Sequence, residues 1–355
     1  MIELKHLKLI DAIDRLGTMS KAAKELNLSP SALSHQLKDL ESYINTPIFF
    51  RNNNRLHFTK SGKVLKEKAA EMILEFQNLE SKIETAKKDQ NQSYIHGYSH
   101  EENKRLVDQA TTIAEILHYD SYWPEGSRVL EVGCGVGAQT EIIASQNPNV
   151  EFTSIDISKD SLKYAQKRID EAGISNVLFL NQDAYNLNFE EDSFDHVFIC
   201  FLLEHLSDPM AALSECKRVL KPIGKISIIE GDHGSTFFYP YSTAAMKAVN
   251  AQVQLQKSKG GNANIGRALY PMLKKARFKN ISNSPRQVYV DESKPFLVQG
   301  FIRNTFNAMI RGIRDEAIAK KAISNEDFEK GILDLDKTSE GGTFSYTFFR
   351  AEGVK

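Results

Sequence analysis

The 355-residue sequence predicts an α/β fold: a doubly wound parallel sheet carried behind a small all-α N-terminal domain and a connecting helix. Three observations lead there. Between Arg128 and Glu230, short apolar runs alternate with helical patterns, as parallel strands joined by crossover helices do. The length exceeds a single typical core, so two or three domains are expected. Charge is also divided: residues 1–66 hold eleven Lys/Arg against six Asp/Glu, a net +5, which leaves −6 for the remainder of a chain whose formal charge is −1. A basic head on an acidic body fits a nucleic-acid-facing N-terminus, although a solvated helical surface carries such an imbalance equally well.

No apolar run approaches the roughly 20 residues of a membrane-spanning helix, and the N-terminus lacks the basic-then-apolar pattern of a signal peptide. A cytoplasmic protein with no membrane partner is therefore expected. Cys134, Cys200 and Cys216 form an odd set without paired metal-ligand spacing, so neither a disulfide framework nor a metal site is expected. Thiols packed in a reducing compartment account for them.

Leu4, Leu7, Ile10, Ala12, Ile13 and Leu16 recur at three and four, which predicts a helix over residues 3–16 stopped by Gly17. Ser20 is expected to cap a second helix from Lys21 to Leu26, with the small Ala22 and Ala23 inward to allow a close crossing. Ser29 is a good N-cap and Pro30 suits a first helical position, so a third helix begins at Pro30 and runs to about Tyr43. It buries Leu33, Leu37 and Leu40 and turns Ser31, Ser34, His35 and Lys38 outward, where they can reach phosphates and base edges. The run "PIFFRNNNRLHFTKSG" then gives two short extended segments about "NNN", a wing with Arg51 and Arg55 at its base.

Gly17 to Gly62 resembles the winged helix-turn-helix of LysR-type transcription regulators, through the Ala22-Ala23 pair, "SALSHQLKDLE", "IFFR" and "FTKSG". The resemblance implies double-stranded DNA as a partner of residues 1–62, with Ser29, Ser31, Ser34, His35, Lys38, Arg51 and Arg55 as contacts. Survival of the fold as a dimerisation or docking module is the alternative. Downstream, Leu65, Ala69, Met72, Phe76, Leu79 and Ile83 are spaced 4, 3, 4, 3, 4, an a/d seam that needs a partner. In the resembling family the equivalent helix pairs two subunits, so residues 63–93 are expected to make a homodimer through the 65–83 helix and to present two reading helices to two half-sites. One long helix packed on its own chain is the competing reading. "AKKDQNQS", Ala86 to Ser93, is the polar boundary before a 94–355 domain.

"SRVLEVGCGVGAQTEIIA" gives a buried strand from Arg128 to Val132, a glycine-rich turn, and a helix beginning near Ala138. "EFTSIDI", "VLFLNQDA", "FDHVFICFLL" and "GKISIIEG" follow as strands, with "SKDSLKYAQKRIDEAG" and "PMAALSECKRVL" as helices. In such a sheet the ligand lies at the carboxyl ends of the strands. Gly133, Gly135 and Gly137 alternate after Glu131, unlike the spacing that brings a pyrophosphate against a helix end. Glycines let the backbone approach a ligand, and the helix N-terminus beyond them suits a carboxylate. Asp156 ends the second strand, where a carboxylate can accept from both ribose hydroxyls; Asp183 with Ala184 ends the third, where one can hold an adenine amino group. Taken singly, each aspartate is also compatible with a helix cap or a turn.

In their order and spacing, "EVGCGVG", "SIDIS", "NQDA" and "FICFLLEHL" resemble class I S-adenosylmethionine-dependent methyltransferases of the broad ubiquinone-biosynthesis-like type, which act on small molecules through a Rossmann-like sheet. The resemblance implies S-adenosyl-L-methionine as cofactor, with Glu131, Gly133, Cys134, Gly135, Gly137, Asp156, Ile157, Asp183, Ala184 and Phe201 around it. "YIHGYSHEENKRLVDQA" is similar to the lid helix that some members place over the cofactor, with Tyr94, Tyr98, Arg105 and Gln109 as contacts. Plain helix packing is an equal reading.

A sulfonium methyl is already activated, so the protein aligns the reacting atoms and excludes water, and a base is needed only where the acceptor must lose a proton. Asp232 and His233 in "EGDHGS" are the candidate catalytic residues, His233 because histidine titrates near neutral pH, with a plain loop turn as the alternative. His96, His100, Tyr98 and His205 also lie toward the cofactor side, His205 as a support. There is no "NPPY", "DPPY" or "PC" motif of DNA-methylating enzymes, so a small molecule is the expected methyl acceptor. "STAAMKAVNAQVQLQ", "IGRALYPMLKKARF" and "KPFLVQGFIRNTFNAMIRGI" predict helices, and "RQVYV" and "TFSYTFFRAEG" late antiparallel strands, with a segment able to roof a moderately apolar acceptor. The expected function is a small-molecule methyltransferase with a DNA-binding head. Two alternatives stay open: a regulator whose methyltransferase domain senses S-adenosylmethionine or S-adenosylhomocysteine without turnover, and a plain enzyme whose head only dimerises.

Overall fold

The computed structural model describes residues 2–26, 28–52, 55–69, 72, 73, 76 and 100–355, and the chain divides into two compact units, Met1–Gln92 and Ser93–Lys355. In the first, α1 (Leu4–Leu16) buries Leu7, Ile10, Ala12 and Ile13 and stops where Gly17 takes φ 71, a left-handed turn that a side chain resists. α2 (Met19–Glu25) starts earlier than expected, because Thr18 rather than Ser20 is its cap and accepts from the Lys21 amide at 3.4 Å. α3 (Pro30–Ile44) begins as the Ser29-Pro30 pair predicts, Ser29 Oγ accepting from the Ala32 amide at 3.1 Å. Leu33, Leu37 and Leu40 meet Ala22 and Ala23 in the core. β1 (Phe49–Asn52) and β2 (Arg55–Phe58) pair antiparallel as the wing, with Phe49 opposite Phe58. Glu41 ties the wing to α3, its Oε1 accepting from the Ile48 and Phe49 amides at 2.7 and 3.4 Å.

A further helix, α4, starts at residue 60. Its Leu65 and Ala69 pack into this unit's own core, whereas Met72 and Phe76 are exposed. The first part of the expected seam is therefore used within the chain, and Met72 and Phe76 beyond it are turned to solvent. Leu79 and Ile83 lie outside the described residues.

The second unit opens with α5 (His100–His118) and builds a seven-stranded sheet from β3 (Arg128–Val132), β4 (Glu151–Asp156), β5 (Val177–Asn181), β6 (Phe194–Cys200), β7 (Leu220–Tyr239), β8 (Lys279–Val290) and β9 (Thr343–Val354). The order is β5-β4-β3-β6-β7-β9-β8; the first five strands are parallel, and β9 runs antiparallel to both neighbours. α6 (Ala138–Gln146), α7 (Lys159–Glu171) and α8 (Pro209–Val219) make the crossovers. Successive strand residues face opposite sides, so each apolar strand feeds two cores. Val129, Phe198 and Ile229 pack with α5 and α6, while Leu130, Val197 and Ile228 pack with α8. Strand order reverses between β3 and β6, which opens a crevice at their carboxyl ends.

The expected late helices appear as α9 (Thr243–Ser258) and α10 (Leu269–Lys275) between β7 and β8, and as α11 (Pro295–Leu297), a π-helical stretch Val298–Asn307 and α12 (Ala308–Gly312) between β8 and β9. Phe301, Ile302, Phe306, Met309 and Ile310 are buried, as the apolar stripe predicts, and Phe296 is exposed. α13 (Arg314–Ala319) and α14 (Asn325–Lys337) add to the expected set. α14 holds a helix-weakening Gly331 because α9 passes so close that a Cβ there would lie 2.6 Å from the Ala244 carbonyl oxygen. Among the described residues no helix is long and apolar enough to cross a membrane.

Candidate active site at the carboxyl ends of the parallel strands

Gly133, Gly135 and Gly137 all take left-handed φ values, 79, 53 and 74, between β3 and α6. A Cβ on Gly133 would press on Leu202 at 2.8 Å and one on Gly137 would meet the Ala165 Cβ at 2.9 Å, but one on Gly135 would meet nothing within 4 Å. The outer glycines pack the loop against the chain, and the middle one presents bare backbone to open space. The Gly135 amide donates to Asp156 Oδ2 at 2.9 Å and the Ser158 amide to Oδ1 at 2.8 Å. Asp156 thus clasps the loop to the end of β4, with lone pairs left on both oxygens. Burial pushes its carboxyl up, against the pull of these amides. Ile157 beside it is 48% exposed. Asp183 accepts from the Tyr185 amide at 2.9 Å in a turn beyond β5, with Ala184 packed at its side. Phe201 leaves β6 at φ 57, a strain of roughly 1–3 kcal/mol for a bulky residue, and its ring centroid lies 5.2 Å from that of Phe348.

Glu131 stands beneath the loop. It is 2% exposed, and its Oε2 accepts from the Thr140 and Ser154 hydroxyls, each at 2.7 Å. This joins β3, β4 and α6, so the carboxylate supports the loop rather than lining open space. Burial pushes it up to about 7, opposed by the two hydroxyls. Cys134 is likewise buried, its thiol pushed well up by burial. Arg105 and Gln109 hold one another on α5: the guanidinium donates to Glu102 twice at 2.7 Å and to Gln109 Oε1 at 3.0 Å. Tyr94, His96 and Tyr98 lie outside the described residues, as does the side chain of His100.

On β7 the two candidate catalytic residues are both engaged. Both Asp232 oxygens accept from Arg267, at 2.7 and 2.9 Å, so this carboxylate is half of an ion pair and not a free base. His233 is buried, with Nδ1 2.9 Å from the Tyr346 hydroxyl and Nε2 3.4 Å from Met309 Sδ. Burial holds it down to about 4. Around it Phe301, Phe306, Phe344, Tyr346 and Phe348 form an aromatic cluster with centroid separations of 4.7 to 6.1 Å. His205 is half-buried in the turn after β6, 3.6 Å from Glu204. Sequence reasoning passed over Glu204, Glu230, Gln256 and Tyr346, although "LLEHL" and "IIEGD" placed acidic residues directly after the apolar runs of consecutive strands.

On the first unit, Ser31, Ser34, His35 and Lys38 are exposed along one face of α3, as expected. Ser29 is also exposed, but its Oγ is engaged in the helix cap, and His35 Nδ1 lies 3.0 Å from Asp39 Oδ2. Arg51 and Arg55 sit on β1 and β2, with side chains outside the described set.

Residues 4–63 match the model of the bacterial regulatory helix-turn-helix protein, lysR family, and residues 130–228 match a methyltransferase domain. The chain joins a LysR-type helix-turn-helix domain to a methyltransferase domain. Demethylmenaquinone methyltransferases are similar to the latter: that of Bacillus velezensis is 31% identical over 140 residues, 39% of this chain and 57% of the relative, and that of Listeria welshimeri 36% over 107 residues, 30% and 45%. The chain spans about half the length of these curated relatives. The solved YcgJ protein of Bacillus subtilis aligns over 69% of this chain and 98% of its own at 19% identity and a TM-score of 0.46. The methyltransferase domain contains the Gly133–Gly137 loop, Asp156 and Asp183 within its matched span.

Proposed function

We propose that the chain is an S-adenosylmethionine-dependent methyltransferase that modifies a small apolar or aromatic molecule and binds double-stranded DNA through its head, in the cytoplasm and as a homodimer. The bare backbone of Gly135 beside Asp156 carries this reading, because a ligand can settle there without displacing a side chain. The loop amides and the start of α6 would hold the amino-acid end of the cofactor, and the remaining lone pairs of Asp156 its ribose hydroxyls. Ile157, Asp183, Ala184 and Phe201 would flank the adenine and the reacting end. The bound cofactor supplies an activated methyl group. Glu131 keeps the loop in place, and the aromatic cluster around His233 excludes water and shapes the acceptor side. The names of the relatives make demethylmenaquinone the acceptor to try first.

Calorimetric titration with S-adenosylmethionine tests the reading. The parent chain should bind it and Gly135→Arg should not, since the arginine side chain would fill the space above the loop. Unaltered affinity in that variant overturns the assignment. The exposed face of α3 supports DNA binding, and a regulator in which cofactor occupancy alters DNA affinity is the second reading. That reading requires the cofactor to bind the DNA-bound and free forms unequally, which a mobility shift with and without cofactor measures.

A further inference from the structure

A buried polar cluster surrounds the turn that follows β6. Glu204 in that turn and Glu230 on β7 are 8% and 0% exposed. Glu230 Oε1 accepts from the Leu202 and Leu203 amides at 3.0 and 2.6 Å, while its Oε2 is fully buried with no hydrogen-bond partner among the described residues. Gln256 of α9 donates to Glu204 Oε2 at 3.3 Å and to its carbonyl oxygen at 3.0 Å. The turn abuts the glycine loop, for Leu202 is the side chain for which Gly133 leaves room.

Arg105 of α5, Glu131 of β3, Cys200 of β6, His205 of the turn itself, Asp232 and His233 of β7, and Tyr346 and Arg350 of β9 act electrostatically within this cluster. Two carboxyls in one buried site do not both ionise. Burial lifts Glu204 to about 7, and burial together with Glu204 lifts Glu230 well above the carboxylate range. Burial holds His205 and His233 down to about 3 and about 4, so neither takes up a proton at neutral pH. Arg105 is ion-paired with Glu102.

We propose that Glu204 and Glu230 are the proton store of the methyl transfer: the pair releases a proton when a sulfonium cation occupies the neighbouring site, and takes up the acceptor's proton when that cation is discharged. The inference rests on the methyltransferase reading above. In the transfer the acceptor's X–H bond breaks and an X–C bond forms. The electron pair of the broken S–C bond stays on sulfur, which becomes neutral, and the proton joins the anionic carboxyl pair. Positive charge leaves the sulfur as negative charge leaves the pair, so the buried site keeps its net charge.

Calorimetry of the full chain at pH 7, with S-adenosylmethionine and separately with S-adenosylhomocysteine, in two buffers of different ionisation enthalpy, counts the protons. S-adenosylmethionine should release about half to one proton more than S-adenosylhomocysteine. The double variant Glu204→Gln, Glu230→Gln should bind S-adenosylhomocysteine like the parent, lose the proton difference, and lose roughly tenfold of its preference for the charged ligand. A thermal midpoint raised by S-adenosylhomocysteine shows that the double variant is folded. Equal proton release for the two ligands in the parent, or an undiminished difference in the folded double variant, overturns the proton store alone. Binding of neither ligand by the parent overturns the methyltransferase reading with it.

Discussion

Replacing Glu131 by glutamine should stabilise the sheet-bearing unit, and increasingly so as pH rises. The carboxyl is 2% exposed, and burial lifts it from 4.5 to about 7. In the unfolded chain the group ionises near 4.5, whereas in the folded chain it keeps its proton to about 7. Between these values folding takes up a proton, so stability falls as pH rises; above the upper value the whole loss persists, at most about 3 kcal/mol. Glutamine carries no charge to desolvate, and its carbonyl oxygen can still accept from Thr140 and Ser154. The stability gap between variant and parent should therefore widen by about 3 kcal/mol between pH 4 and pH 8. Trp123 is the single tryptophan of the sequence, buried edge-on against Phe152 and Phe198 in the same unit, so its fluorescence during denaturant unfolding reports on that unit alone. A gap that stays flat across this pH range would refute the reasoning.

Arg267→Ala leaves Asp232 buried without its partner and should cost about 2 kcal/mol in the same unfolding assay, less than a fully buried pair because the arginine side chain is half exposed; Asp232→Asn added to it should recover most of the loss. Ser34→Glu puts a negative charge on the exposed face of α3 and should weaken retention of DNA from the chain's own upstream region more than about tenfold in a mobility shift, with the parent's retention falling as salt rises. Equal retention by parent and variant counts against a reading helix. Met72→Lys with Phe76→Lys charges the two seam residues that are exposed among the described residues and should shift the mass in light scattering from dimer to monomer; an unchanged mass places any dimer contact elsewhere.

Elements whose signals are local were legible in the sequence. The start of α3 follows from Ser29 and Pro30, whose geometry is set within one turn, and the parallel strands follow from apolar runs buried on both faces. The glycine loop was legible as a motif, but the separate tasks of its glycines depend on Leu202 and Ala165, which are distant in sequence. Asp232 illustrates the limit from the other side: a carboxylate beside a histidine looks like a catalytic pair until Arg267, far along the chain, claims it. Glu230 was passed over because its meaning lies in an unpaired buried oxygen, which only tertiary packing creates. α2 shifted because Thr18 and Ser20 are both good caps, and the one that reaches the Lys21 amide wins.

All three cysteines of the sequence are buried, and burial lifts each thiol above its ordinary value. Maleimides capture thiolates, so the native protein should react slowly with such reagents. A cysteine introduced at exposed Ser34 would then be the preferred site for a fluorophore or spin label, with no native thiol removed. The same chain could report DNA engagement optically while its other half is titrated with cofactor.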